Sequence, residues 1–550
     1  MDKRIVLPPK YYHTNFEYLL SFVKDKYHDL LNVSEWSFLR QYYCLSEDSQ
    51  CLFIRFCNRK GLFFKTDGLA YEELENTEHL LHQLVKVGFV SKINFEEHKF
   101  FFSEILQVLT KQELIKVFDL KSLKSEKREI LVNYLIENLS AEEIIKKIEW
   151  EVKLVKVNFE LEVSFMKFLF FGNRAMDMTE FVLRDMGLIH YYKHNDDDLV
   201  ARFETRKDAD DKWMISDQFE IFETLKNQVS LAEIKNWFLN LNLTVSSLSK
   251  VAFPSFEKLA LRIGKYFEQN KDFEAAIEIY QTIESTPSRE RTARCFLKTG
   301  NLEEAKVLCS EMILSPLSVD EQYFAEYFLK TLDGKKSKKQ TTEWLQSSDA
   351  IEIDKFYKNQ VEVGAIQYYL DLGFQAGFSE NFSWRTLFGL WFWDVIFDPS
   401  LVAFHHPFQR RPSDSYLPDF FTKRKEQLEV QLNAFQDSSE LLAHLWETYV
   451  KNQGTANPFV VWLEEIWEMV RVIVNKIDLD KLKLIVLKIA ENIVENSRGL
   501  PDLLVWSENH YELVEIKSPS DNLSHQQLFW FRFFKENQIN AKVLRVTFSL

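Results

Sequence analysis

Most of the chain reads as helical, and only near its C-terminal end does the pattern change to short uninterrupted apolar runs. Leu503 to Trp506 and Leu513 to Ile516 are two such runs, separated by the polar turn Ser507-Glu508-Asn509-His510, and they predict a pair of buried strands. Leu523 to Lys535 then predicts a helix with an aromatic face and Ala541 to Phe548 a closing strand, a β-β-α-β order. Upstream, Trp384 to Phe397 predicts an apolar helix. Thr110 to Glu113 forms a capping box that opens a helix through Phe118, and a second helix is expected from Glu126 to about Glu137. Short strands are expected around Leu52 to Phe56 and Leu62 to Lys65, within a first 103 residues that suggest no chemistry.

An internal repeat lies between about Leu259 and Ile313. Gly264, Phe267, Phe273, Ala276 and Tyr280 recur as Ala293, Phe296, Leu302, Ala305 and Cys309, each 29 residues on. Small residues at 264, 276, 293 and 305 let paired helices approach closely, so the segment resembles a TPR array with a shortened period. The two short helices after Thr110, joined by a lysine-rich turn, resemble the SAP module, a DNA-binding fold. Between Lys111 and Arg128 six basic residues face three acidic ones, and Lys121, Lys124, Lys127 and Arg128 are expected to grip phosphates without reading bases. A solvated helical hairpin would carry the same charges.

At 550 residues the chain has room for three or four domains. A net charge of -15 excludes a protein that coats nucleic acid through its whole surface, so any DNA contact must be local. Five cysteines without a C-x-x-C pair exclude a zinc finger or disulfide framework and fit a reducing compartment. No apolar run is long enough to span a membrane and the first residues lack a signal-peptide pattern, so a cytoplasmic protein is expected.

Candidate chemistry lies at the hairpin. If Trp506 faces Tyr511, counting back pairs Asp502 with Glu515, roughly 4.5–5.5 Å apart between Cβ atoms, close enough for the two carboxylates to share a divalent cation. The two-residue strand period puts Lys517 on the same face as Glu515. Hard oxygen ligands suit Mg²⁺ or Mn²⁺, which polarise a phosphate and acidify a bound water, while Lys517 can orient that water or offset developing charge. The same spacing also suits a solvated strand face.

The flanking residues sharpen this. RGLPDLLVW followed by YELVEIKSPSDNLSHQQLFWF resembles the VRR-NUC domain of the Fanconi-associated nuclease family, in the PD-(D/E)XK superfamily, with PD, VEIK and LSHQQ in order within 27 residues from Pro501 to Gln527. The resemblance implies that Asp502 and Glu515 are metal ligands, Ile516 a backbone-carbonyl ligand and Lys517 the catalytic lysine. It further implies that Glu380, in Gly377-Phe378-Ser379-Glu380-Asn381, is an active-site acid and ligand. A basic pocket for a 5′ phosphate is implied near Arg289, Arg291 and Arg294, whereas Gln526 stands where the family has a lysine. The expected architecture is multidomain and predominantly α: 1–103 helical, 104–140 SAP-like, 141–250 a helical DNA-binding region, 251–370 TPR-like, and 371–550 an α/β nuclease domain. The implied activity is 5′ flap endonuclease and 5′-to-3′ exonuclease action on branched DNA in crosslink repair, by a monomer or weak dimer of compact prokaryotic type. A junction resolvase, or a non-catalytic TPR-type adaptor, are the other readings.

Overall fold

The computed structural model describes residues 6–244, 246–333, 340–417 and 419–549. It forms two compact units, one running to Leu188 and including Ala201–Arg206, the other made of Ile189–Val200 and the chain from Lys207 onward. Among the described residues no helix is long and apolar enough to cross a membrane.

The first unit is helical around a small antiparallel sheet in the order β1-β3-β2, with β1 at Phe63–Lys65, β2 at Val90–Lys92 and β3 at Leu154–Val157. The strand expected at Leu52 to Phe56 is instead part of the helix Glu47–Cys57, which Ser46 caps by accepting the Ser49 N–H. Cys51, Leu52, Phe53, Ile54 and Phe56 are all buried, and the four consecutive positions 51–54 cover every side of the helix there. A helix buried all round leaves the same uninterrupted signal as a buried strand. The capping box at Thr110 and Glu113 is present and opens the helix Lys111–Phe118, and the second helix runs Arg128–Asn138. The expected breaks at 103 and 140 do not separate compact bodies, because one core joins Phe63, Ile105, Leu114, Leu131, Ile145 and Leu154.

In the second unit the repeat is a row of consecutive helices, Phe253–Gln269, Phe273–Tyr280, Ser288–Thr299, Leu302–Leu314 and Val319–Leu332, each packed on the next. A Cβ on Gly264 would lie 2.4 Å from the Tyr280 ring, so the close approach requires glycine. Ala276, Ala293 and Ala305 are fully buried, as their spacing implies.

A five-stranded sheet completes this unit in the order β4-β8-β7-β6-β5, with β4 at Asp349–Ile353, β5 at Gln375–Phe378, β6 at Leu503–Trp506, β7 at Tyr511–Lys517 and β8 at Ala541–Phe548. Trp506 pairs with Tyr511 and Leu503 with Val514, the register that the turn length implies. β7 and β8 are parallel, and the helix His525–Glu536 makes the crossover that parallel pairing needs. That helix begins two residues later than expected because Ser524 caps it, in a box with Gln527. The apolar helix expected from Trp384 to Phe397 is two pieces, Phe382–Trp391 and Trp393–Ile396. Val361, Ala365 and Tyr369 of the helix Val361–Asp371 pack on Leu503, Val505, Val514 and Ile516. Strand alternation therefore turns Glu515 and Lys517 to the opposite face.

Candidate active site

The site forms where β5, β6 and β7 end together. The Ser379 N–H donates to the Asp502 carbonyl (2.8 Å) and the Ser379 hydroxyl to the Pro501 carbonyl (3.1 Å), which extends the β5–β6 ladder and brings Glu380 to the Asp502 end of the sheet. Asp502 is fixed by its Oδ2, which accepts the Ile516 N–H at 2.8 Å across the hairpin. Glu515 is 1% exposed, and its Oε1 lies 2.8 Å from the Lys517 ammonium, itself 8% exposed. The same Oε1 accepts from the Gln527 side-chain amide. The other oxygen, Glu515 Oε2, is buried without a hydrogen-bond partner.

This arrangement is electrostatically unbalanced. Burial pushes the Glu515 carboxyl up to about 8, and the charge of Asp502 adds to that, with Lys517 pulling the other way and Glu380 contributing a smaller push. Burial likewise raises Asp502 to about 6; the Ile516 N–H and Lys517 oppose the shift, while Glu380 and Glu362 reinforce it. A buried and a half-buried carboxylate beside one ammonium retain negative charge that a proton or a cation must offset. The donor set consists of hard carboxylate oxygens, one of them a buried orphan, and it fits a hard divalent cation.

The expected residues are brought together unequally. Asp502, Glu515 and Lys517 converge, and Ile516 sits between them, its side chain in the core and its N–H on Asp502. Glu380 is exposed and accepts from the Asn381 amide at 2.8 Å, and among the described residues no three acidic, histidine or cysteine side chains cluster tightly enough to hold an ion. In this structure Glu380 adds its charge to Asp502 and Glu515. Sequence reasoning missed Gln527 and Glu362. The first could have been found from the capping box S-x-x-Q that positions it; the second carries no motif and is placed by packing of its helix on the sheet.

The predicted DNA contacts fall into two groups. Lys121, Lys124 and Lys127 are exposed, Lys121 in a surface ion pair with Asp119 at 3.0 Å. Arg128 is turned inward, donating to the Leu109 carbonyl (3.0 Å) and to Gln107. The three arginines of the repeat all have acidic partners: Arg289 faces Glu321 (3.4 Å), Arg291 faces Glu268 (3.0 Å), and Arg294 pairs with Glu290 (2.7 Å) and lies over the Phe324 ring. Gln526 is buried and reaches Asn496 at 3.4 Å.

Comparison with known proteins adds independent findings. Two family models match, the FAN1 HTH domain over residues 10–91 and the VRR-NUC domain over residues 437–548. The first of these covers much of the stretch for which no chemistry was expected. The chain is 27% identical to a Fanconi-associated nuclease 1 homolog of Pseudomonas aeruginosa, over 98% of this chain and 96% of that protein. It is 26% identical to an Arabidopsis thaliana homolog over 99% of this chain and 68% of the relative. Human Fanconi-associated nuclease 1 is 32% identical over 34% of this chain and 19% of its own length. A crystal structure of paFAN1 bound to 5′ flap DNA with a 2-nucleotide flap and a gap is similar with a TM-score of 0.83 at 25% identity, covering 99% of each chain.

Proposed function

We propose that this chain is a member of the Fanconi-associated nuclease family and that it cuts DNA at 5′ flaps using Mg²⁺ or Mn²⁺ held by Asp502, Glu515, Glu380 and the Ile516 carbonyl. That it is a structure-selective, metal-dependent DNA nuclease follows from the family. The finer reading, a 5′ flap endonuclease with 5′-to-3′ exonuclease action serving crosslink repair, is supported by the likeness to a relative solved on flap DNA. The observation that carries the ligand assignment is the buried, unpartnered Glu515 Oε2 beside the fixed Asp502 carboxylate.

When bound, a divalent cation lowers the pKa of a coordinated water and offsets charge on the phosphate. The chain's own groups do the positioning. Through its N–H, Ile516 holds one Asp502 oxygen and leaves the other available. Gln527 and Lys517 both hold Oε1 of Glu515, which leaves Oε2 without a hydrogen-bond partner. Lys517 carries the remaining donors of its ammonium into the site, where they can orient the attacking water or stabilise negative charge as it develops on the phosphoryl oxygens. Arg294, half exposed, is the member of the arginine cluster best suited to reach a 5′ phosphate, and Lys121, Lys124 and Lys127 to hold the duplex.

Cleavage of end-labelled flap, nick, four-way junction and duplex DNAs with Mn²⁺, beside Asp502→Asn, tests the reading. Preferential cutting at the 5′ flap by a monomer is the expected result. Preference for junctions by a dimer would replace it with a resolvase, and metal-independent or absent cleavage would overturn the ligand assignment.

A further inference from the structure

A groove in the same unit is lined by none of the carboxylates described above. The helices Ser438–Asn452 and Glu464–Lys476 pack against each other and leave an open groove of about 770 Å³, lined among others by Trp446, Tyr449, Trp462, Trp467, Glu464 and Glu468. The rings form a curved wall: Trp446 and Trp467 are 5.1 Å apart and tilted by 40°, Tyr449 and Trp462 5.2 Å and 54°, Tyr449 and Trp467 5.1 Å and 33°. Tyr449 and Trp467 are buried, yet Trp446 is 50% exposed, and Val450 and Leu463 beside them are 55% and 56% exposed. Large apolar side chains grouped in this way on a surface mark an interaction site.

Charge identifies the occupant. Aromatic faces are electron-rich and attract cations. The groove's charged lining is Glu464, Glu468 and Arg471; Arg471 lies 3.3 Å from Glu468 and is spent on it, so Glu464 remains as the uncompensated charge. Glu464 sits close enough to Tyr449 to add to the rise that burial gives its phenol. A DNA flap laid over these rings would bring its phosphates against that carboxylate, whereas a basic side chain meets attraction from both the rings and the glutamate.

The geometry points to a docking site for a partner protein segment that inserts a lysine or arginine against Trp446 and Trp467 beside Glu464, with its neighbouring apolar residues on Val450 and Leu463. The probes are a fluorescein-labelled 12-residue peptide of leucine, alanine and arginine, the same peptide with glutamate for arginine, and a 12-nucleotide thymidine strand, each titrated by anisotropy into the full chain. The arginine peptide should saturate. Trp446→Ala and Glu464→Lys should each weaken it about tenfold, the scale of one cation–π or charge contact, while Trp446→Phe keeps most of the affinity. Both positions are exposed enough for the variants to fold, and unchanged flap cleavage and melting temperature would verify that. Equal affinity for all variants, or equally tight binding of the glutamate peptide, overturns the proposal. Thymidine binding that depends on Trp446 overturns it too, and assigns the groove to single-stranded DNA.

Discussion

At the scale of single residues, the site depends on which oxygens are already held. Asp502→Asn or Glu515→Gln is expected to abolish cleavage while flap affinity stays within about threefold, because phosphate contacts elsewhere supply most of the affinity. Electrophoretic binding and cleavage assays on one flap substrate check both halves. Lys517→Ala is expected to slow turnover by about 10²–10³-fold with Mn²⁺ binding retained in calorimetry, since it removes a donor aimed at developing charge and no ligand. The raised carboxyls also fix the sign of a pH effect. A carboxyl whose folded pKa lies above its unfolded one keeps its proton longer in the folded state, so in metal-free protein its contribution falls as pH rises from the ordinary carboxylate range through about 8 for Glu515. In EDTA the wild type should therefore lose melting temperature between pH 5 and 8 more steeply than Glu515→Gln. Added Mn²⁺ should restore more of it at pH 8 than at pH 5, because cation binding displaces the proton. Parallel curves for the two proteins would mean that Glu515 is ionised without the metal.

Among the helical elements, close packing and ion pairing decide more than charge does. Gly264→Ala places a methyl 2.4 Å from the Tyr280 ring and is expected to cost about 1–3 kcal/mol by chemical denaturation. Arg291 and the Tyr280 hydroxyl both bond Glu268, so Arg291→Ala should lower the melting temperature and slow cleavage of every substrate alike. Arg294 is more open, and Arg294→Ala should instead slow cleavage of 5′-phosphorylated nicked DNA about tenfold relative to the unphosphorylated form, the scale of one charge-assisted hydrogen bond. Equal slowing of both forms would make Arg294 another member of the scaffold. The capping box at Thr110 and the 29-residue repeat were legible because caps and small-residue contacts are local. The helix at Glu47–Cys57 was not, since burial on all sides erases the periodicity that separates helix from strand.

For the whole molecule, a net charge of -15 makes DNA binding the work of local patches. Replacing Lys121, Lys124 and Lys127 with alanine should flatten the slope of log affinity against log salt by up to roughly 0.9 per lost contact, equally for unrelated sequences. An unchanged slope would leave these lysines merely solvated. Arg128→Ala, by contrast, should lower stability and leave the slope nearly intact, because its guanidinium is bonded to Leu109 and Gln107.

The sequence by itself determined the carboxylate-bearing hairpin: a four-residue turn between two apolar runs sets the register, and the register places Asp502, Glu515 and Lys517 together. It also determined the repeat and the β-β-α-β order, since each rests on contacts between residues near in the chain. Only the tertiary structure decided that Glu362 adds its charge to the site and that Arg289 and Arg291 face Glu321 and Glu268. Each of these depends on which face of a helix meets which neighbour, and that is set by packing between segments far apart in the chain, which no local pattern records.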